Sequence, residues 1–568
     1  MSGPPPIRIG NASGFYGDRF EAFAELLAGG ELDVLTGDYL AELTMLILAR
    51  DRLKDGDLGY AKTFLRQLET TLGSALAAGV RIVTNAGGLN PAGLAAAIGR
   101  LAERLDLAVR IGHVEGDDVR AAASRLGAGA GPGEPLSANA YLGGWGIADC
   151  LAAGADIVVT GRVTDASLVL GPAAAHFGWG RHDYDRLAGA VVAGHVIECG
   201  TQATGGNYCF FDEVADLRRP GFPIAEVHAD GSSVITKHPG TGGAVTLGTV
   251  TAQLLYEIAG PRYAGPDVTA RFDTVRLRQD GPDRVSISGV IGEPPPPTYK
   301  VSLNSIGGFR NQVEFVLTGL DIEAKAGLVR AQLAGPAFEQ AEWTLQRTDR
   351  PDADSEAAAS AVLRCVVRDP DPDRIGRRFS DAAVQLALGS YPGFHLTAPP
   401  GAAQPYGVFG AGYLPIADVE HLAVLPDGTR QPVTGPQQHR ELAELAEPTV
   451  AGWQPGGPSR RVPLGRVLGA RSGDKGGSAN LGVWVRQPRL LPWLADLLSV
   501  SRLRELLPET AGLPIRRYLL PNLAAMNFVI EDLLGLGVGY QARFDPQAKA
   551  LGEWLRSRVV EIPEEFLP

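Results

Sequence analysis

His195 and Glu198 stand three apart in a helical pattern, so they share one face and can converge on a common point. About thirty residues earlier the apolar run Ile157 to Val159 opens directly into Thr160, Gly161, Arg162, Thr164, Asp165 and Ser167. That order reads as a buried strand delivering polar side chains at its carboxyl end, where open α/β sheets keep their ligands. His195, Glu198 and Asp165 together admit two chemistries. As an acid/base set, a carboxylate orients the imidazole, which moves a proton beside a carbonyl while backbone N–H groups steady the oxyanion. As a metal set, the His-x-x-Glu pair with Asp165 or Asp38 binds a divalent ion that polarises a carbonyl. The plain alternative is a histidine and a glutamate that satisfy each other on a packed helix.

Elements that would position these groups recur along the first half of the chain. Strands are expected at Ile7 to Gly10, Leu32 to Leu35, Arg81 to Thr84, Ala108 to Ile111 and Ile157 to Val159, each followed by a polar turn and an amphipathic helix. Five repeats of that rhythm predict a mostly parallel sheet covered by helices. Asn11, Asp38, Asn85, His113 and Asp165 would then fall along one sheet edge and share a pocket, with Arg162 beside them. Asp38 serves equally well as a helix cap, and Asn90 with Pro91 reads as a helix start. The turn Asn11 to Asp18 lacks both the dinucleotide fingerprint and the P-loop lysine.

Further on, Lys237 runs into a glycine-rich turn containing Gly242 and Gly243, which either holds an anion on its backbone amides or is a plain turn. Gly131 to Gly133 reads as a flexible connection. From about Tyr263 alternating residues indicate a mixed α+β region to 445, and the Pro- and Gly-rich stretch 446–461 reads as a linker. The remainder, 462–568, alternates strands and helices as a ferredoxin-like domain does. Its loop Arg471 to Asn480 carries Arg471, Asp474 and Lys475, which either grip a phosphate or carboxylate or pair among themselves to hold the loop.

Composition narrows the class. The 568 residues carry a net charge of -12 and no basic run, so neither nucleic acid nor an anionic membrane is an expected partner. Four cysteines without Cys-x-x-Cys spacing indicate neither a disulfide framework nor a structural zinc, as in a reducing cytoplasm. Cys199 is a weak candidate nucleophile in its apolar helical setting, and no Gly-x-Ser-x-Gly elbow occurs.

Two stretches carry a family resemblance: Gly194 to Gly206 with Lys237 to Gly243, and Ala470 to Leu481. They resemble the acyclic terpene utilisation AtuA family, a large α/β domain with a ferredoxin-like appendix. The resemblance implies catabolism of a branched or unsaturated acyl-CoA by hydration, lyase or isomerase chemistry. The other readings it leaves are a non-catalytic acyl-CoA-binding or scaffolding subunit and a metal-dependent lyase or hydrolase. The expected partners are a small-molecule acyl-CoA or carboxylic acid and further copies of the chain in a homo-oligomer. No cofactor is then required beyond coenzyme A as part of the substrate, with a divalent metal as the alternative.

Overall fold

A computed structural model describes residues 4–126, 134–334, 338–454 and 456–567. The connection expected at Gly131 to Gly133 lies outside them. Five short apolar strands form the centre: β1 (Ile7–Asn11), β2 (Val34–Gly37), β3 (Arg81–Thr84), β4 (Ile111–Glu115) and, after β5 (Ser137–Ala140) in another sheet, β6 (Ile157–Thr160). The order β1-β2-β3-β6-β4 is parallel throughout. β2, β5 and β6 are buried along their whole length, as strands covered on both faces must be.

The sheet as a whole is mixed, which corrects the expectation of a mostly parallel one. It has eleven strands, and those beyond the central five pair antiparallel. On one side β7 (Pro223–Val227) and β8 (Ser233–Lys237) form a hairpin against β1, followed by Arg284–Ser288 and Arg276–Gly281. On the other side Leu422–Val424 pairs with β4. Three of the added pairs are hairpins, β7 with β8, Arg276–Gly281 with Arg284–Ser288, and Leu422–Val424 with Arg430–Pro432, whose short connections allow only antiparallel neighbours, whereas a parallel crossover needs a helix. Thus strands from the alternating region extend the first sheet at both edges.

The same region builds a second sheet around the 21-residue strand Thr298–Thr318. It pairs with Ser360–Asp369, with Gln404–Pro415 and with β5, which ties the second sheet to the first half of the chain.

Residues 459–567 have their own four-stranded antiparallel sheet, in the order Leu468–Lys475, Ser478–Val485, Ala525–Ile530, Ile515–Leu520. Leu481, Val483, Met526, Phe528 and Leu555 make its separate core. The expected loop from Arg471 to Asn480 is instead a hairpin, with Asp474 opposite Ala479 and Lys475 opposite Ser478. Gly476, at φ 62°, supplies the left-handed turn residue. The outer face of this unit sits tightly on the large one. Asn480 Oδ1 accepts from the Glu257 amide at 2.7 Å, and Asn522 Nδ2 donates to the carbonyls of Phe272 and Val275 at 2.8 and 2.9 Å.

Candidate functional site

The strand ends of β2, β3 and β6 bring their polar residues together. Asp38, at the end of β2, accepts a 2.6 Å hydrogen bond from Asn85 Nδ2 at the end of β3, while Asn85 Oδ1 accepts from the Tyr39 amide at 2.8 Å. Arg162, just past β6, is 4% exposed. It donates to Asp165 at 2.7 Å and to the Leu40 carbonyl at 2.9 Å, and its guanidinium lies 4.3 Å from the centre of the Tyr141 ring. Lys300, from the long strand Thr298–Thr318, lies over that ring at 4.9 Å. A short polar turn after each buried strand makes this convergence unavoidable once the strands are parallel neighbours.

The helix Tyr184–Ile197 supplies the opposite wall. His195, on its last turn, is 1% exposed and lies against the rings of Tyr263 and Phe272, at centroid distances of 4.9 and 5.3 Å. Its Nδ1 is 3.2 Å from Glu198 Oε1, yet neither ring nitrogen has an aligned hydrogen bond, although the Gln253 backbone also lies beside the ring. The pair is therefore close, at salt-bridge distance, without an aligned hydrogen bond between the two side chains. Buried polar atoms without partners call for another explanation, and a ligand is one.

Burial dominates the electrostatics. It pushes the imidazole of His195 down to about 4, so the ring is neutral at physiological pH. It also raises the carboxyls of Glu198 and Asp38 well above the ordinary range, helped in both by the charge of Asp165. Asp165 is raised too, by burial against the opposing pull of Arg162. Three carboxyls that feel one another in this way titrate as a coupled set, and each proton lost makes the next harder to lose.

The small domain closes the chamber. Lys475 and Asp474 arrive on its first hairpin, and Lys475 Nζ donates to the Glu257 carbonyl at 2.7 Å. Desolvation lowers the Lys475 ammonium to about 8 and raises Asp474 to about 7. Arg471 plays a different part from the anion grip offered as one reading of the sequence: it lies 4.2 Å from the Tyr256 ring centre and bonds to Gln202 Oε1, tying the two units together.

The remaining candidates go elsewhere. Asn11 donates to the carbonyls of Ile197 and Glu198, at 2.7 and 2.8 Å, and so fastens the end of the His195 helix. Asn90 caps the helix Pro91–Arg104 through the Gly93 amide at 2.9 Å. Lys237 donates to the Thr241 carbonyl at 2.7 Å and lies 3.1 Å from Asp283, and the Gly243 amide donates to the Asp216 carbonyl at 2.6 Å. A Cβ on Gly242 would stand 2.7 Å from the Arg219 carbonyl oxygen, so that glycine serves close packing. The lysine and glycines of this turn are used within it and are not aimed at the chamber.

Sequence reasoning missed several chamber groups. Glu42, at the start of the helix Glu42–Lys54, acts electrostatically on Asp165, Lys475 and Asp474. Glu257, Tyr263 and Lys300 come from regions whose local patterns read as loop or alternating strand. Among the described residues, no three His, Cys, Asp or Glu side chains are grouped so as to hold a metal ion. A cavity of about 450 Å³ lies apart from the chamber, lined by His228, Ser233, Arg276 and Arg278 around the start of β8.

Fold and site define a two-unit α/β protein with a buried, densely ionisable cluster between the carboxyl edge of a mixed sheet and an appended ferredoxin-like domain. Residues 7–425 match the model of the acyclic terpene utilisation family protein AtuA, and residues 462–561 match the AtuA ferredoxin-like domain. The chain belongs to the AtuA acyclic terpene utilisation family. Neither a curated protein nor a solved structure matches it. Among the described residues, no helix is long and apolar enough to cross a membrane.

Proposed function

We propose that this chain is an enzyme of acyclic terpene catabolism that hydrates or dehydrates a branched or unsaturated acyl-CoA by acid/base chemistry. One observation carries the reading: Asp38, Asp165 and Glu198 share a buried chamber with Arg162 and Lys475, beside a neutral His195. Perturbed ionisable groups gathered in one enclosed place are the mark of proton-transfer sites.

The roles follow from the environments. Asp165, fixed by Arg162, is the base that takes the proton from the carbon next to the thioester carbonyl. Glu198, held protonated, gives its proton to the departing hydroxyl, which leaves as water; hydration runs the same steps backwards. Lys475 faces the carbonyl oxygen as charge builds on it, and the neutral His195 ring orients the substrate. The Tyr263 and Phe272 rings suit a hydrocarbon chain. The substrate supplies coenzyme A and no further cofactor enters the scheme. A homo-oligomer in the cytoplasm is the expected working form.

A non-catalytic acyl-CoA-binding subunit is the second reading, favoured by how closed the chamber is, with His195 1% and Glu198 8% exposed. Incubating the protein with a panel of unsaturated and 3-hydroxy branched acyl-CoA thioesters and following mass separates the two. Gain or loss of one water supports the enzyme. Tight binding with no mass change supports the subunit.

A further inference from the structure

Tyr256, Glu257 and Lys549 take no part in the scheme above, yet they lead inward from an exposed lysine to a buried carboxyl beside the acid cluster. Lys549 lies on an exposed turn before the helix Leu551–Ser557. Its Nζ reaches inward to donate a 2.8 Å hydrogen bond to the phenol oxygen of Tyr256. The Tyr256 ring is 2% exposed and stacked under Arg471. The Glu257 carboxyl acts on the same phenol, together with the Cys199 thiol and the Arg471 guanidinium. Of the charged groups around His195, Glu257 acts on it most strongly.

The backbone at Glu257 adds an independent observation. Its φ is 56°, a left-handed conformation that strains any residue with a Cβ and that glycine would take freely. Two bonds from the small domain hold it there, Asn480 Oδ1 on its amide and Lys475 Nζ on its carbonyl. Strained backbone persists where the surroundings over-determine it, and such positions cluster at working sites. Here the clamp holds a carboxyl between the phenol and the chamber.

An acid/base site has to reset. In each cycle Asp165 gains a proton and Glu198 loses one, and both lie behind closed packing. We propose that Lys549, Tyr256 and Glu257 form the proton path between solvent and the chamber, an inference that rests on the acid/base reading above. In one passage inward the Lys549 ammonium gives a proton to the phenol oxygen as the phenol's own proton moves to the Glu257 carboxylate. Tyr256 stays neutral, the Lys549 amine takes a proton from hydronium or a buffer acid, and Glu257 hands its proton on to the Glu198 carboxylate. Outward passage reverses each move.

The test uses the full chain and whichever thioester of the panel it turns over. Tyr256→Phe and Lys549→Ala should each lower kcat by roughly tenfold or more with KM unchanged. Ethylammonium added to the Lys549→Ala protein should restore turnover in proportion to its concentration, and should do nothing for Tyr256→Phe. Undiminished turnover, or a Lys549→Ala loss that the amine does not restore, overturns the path. A second measurement is independent of turnover. With ¹³Cζ-labelled tyrosine, the resonance that vanishes in Tyr256→Phe should shift in both Lys549→Ala and Glu257→Gln. A resonance that stays in place in both overturns the path even if the wild type proves inert. An inert wild type whose Tyr256 signal does shift in both sinks the hydratase reading instead and supports the connected line.

Discussion

Asp165 accepts a 2.7 Å hydrogen bond from the guanidinium of Arg162, three residues before it on the turn that follows β6. The same guanidinium donates to the Leu40 carbonyl after β2, so one buried cation fixes the relative position of two strand ends. A charge-assisted contact of this kind orients the carboxylate as well as stabilising it. Glu198 and Asp38 make no such direct contact with a cation, and burial raises their carboxyls well above the ordinary range.

Replacing Glu198 with Gln separates activity from stability. The folded carboxyl is raised above its ordinary value of 4.5, so the fold favours the protonated form; the stability this brings is present below that value and is lost as pH rises through the folded pKa. Glutamine mimics the protonated form at every pH. The Tm of Glu198→Gln should therefore gain on wild type as pH rises above 4.5, while turnover falls about 10²-fold or more. A Tm difference that does not change with pH speaks against a raised Glu198.

His195 gives the opposite slope. Its folded value of about 4 lies below the ordinary 6.5, so its contribution to stability is complete above 6.5 and is lost as pH falls towards 4. The difference between the two values corresponds to about 3 kcal/mol. His195→Phe keeps an aromatic ring against Tyr263 and Phe272, so it should remove that acid limb in denaturation at pH 4 to 7, roughly, and abolish turnover. Retained turnover takes His195 out of the mechanism.

Gly473→Ala probes the seating of the small domain. A Cβ there would lie 2.4 Å from Cε2 of the buried Tyr256 ring, so the strand carrying Lys475 or the ring has to shift. Denaturation should show a loss of about 1–3 kcal/mol, and turnover should fall as Lys475 moves away from the chamber. A variant as stable and active as wild type would mean that the two units are not packed as described.

Much of the site was legible because open-sheet chemistry is local. A short apolar run followed by polar residues announces a strand end, and Asp38, Asn85, Arg162 and Asp165 all carry that signal. His195 and Glu198 were legible from helical spacing alone. Asn11 and Asn90 carried the same kind of signal and turned out to hold helix ends, because an asparagine side chain suits a free backbone group as well as it suits a ligand. Lys237 was misleading for a related reason: its anionic partner, Asp283, lies 46 residues along the chain, and no local pattern announces it.

The sequence by itself determined the strand-turn-helix rhythm, the family, and which polar residues stand at strand ends, since all of these depend on spacings of a few residues. Only the tertiary structure decided which of those residues meet. It brought Glu42, Glu257, Lys300 and Lys475 together from four distant segments, and burial there raised the carboxyl of Glu257 and lowered the ammonium of Lys475. Desolvation depends on what surrounds a group on every side, and that is a property of the packed chain as a whole.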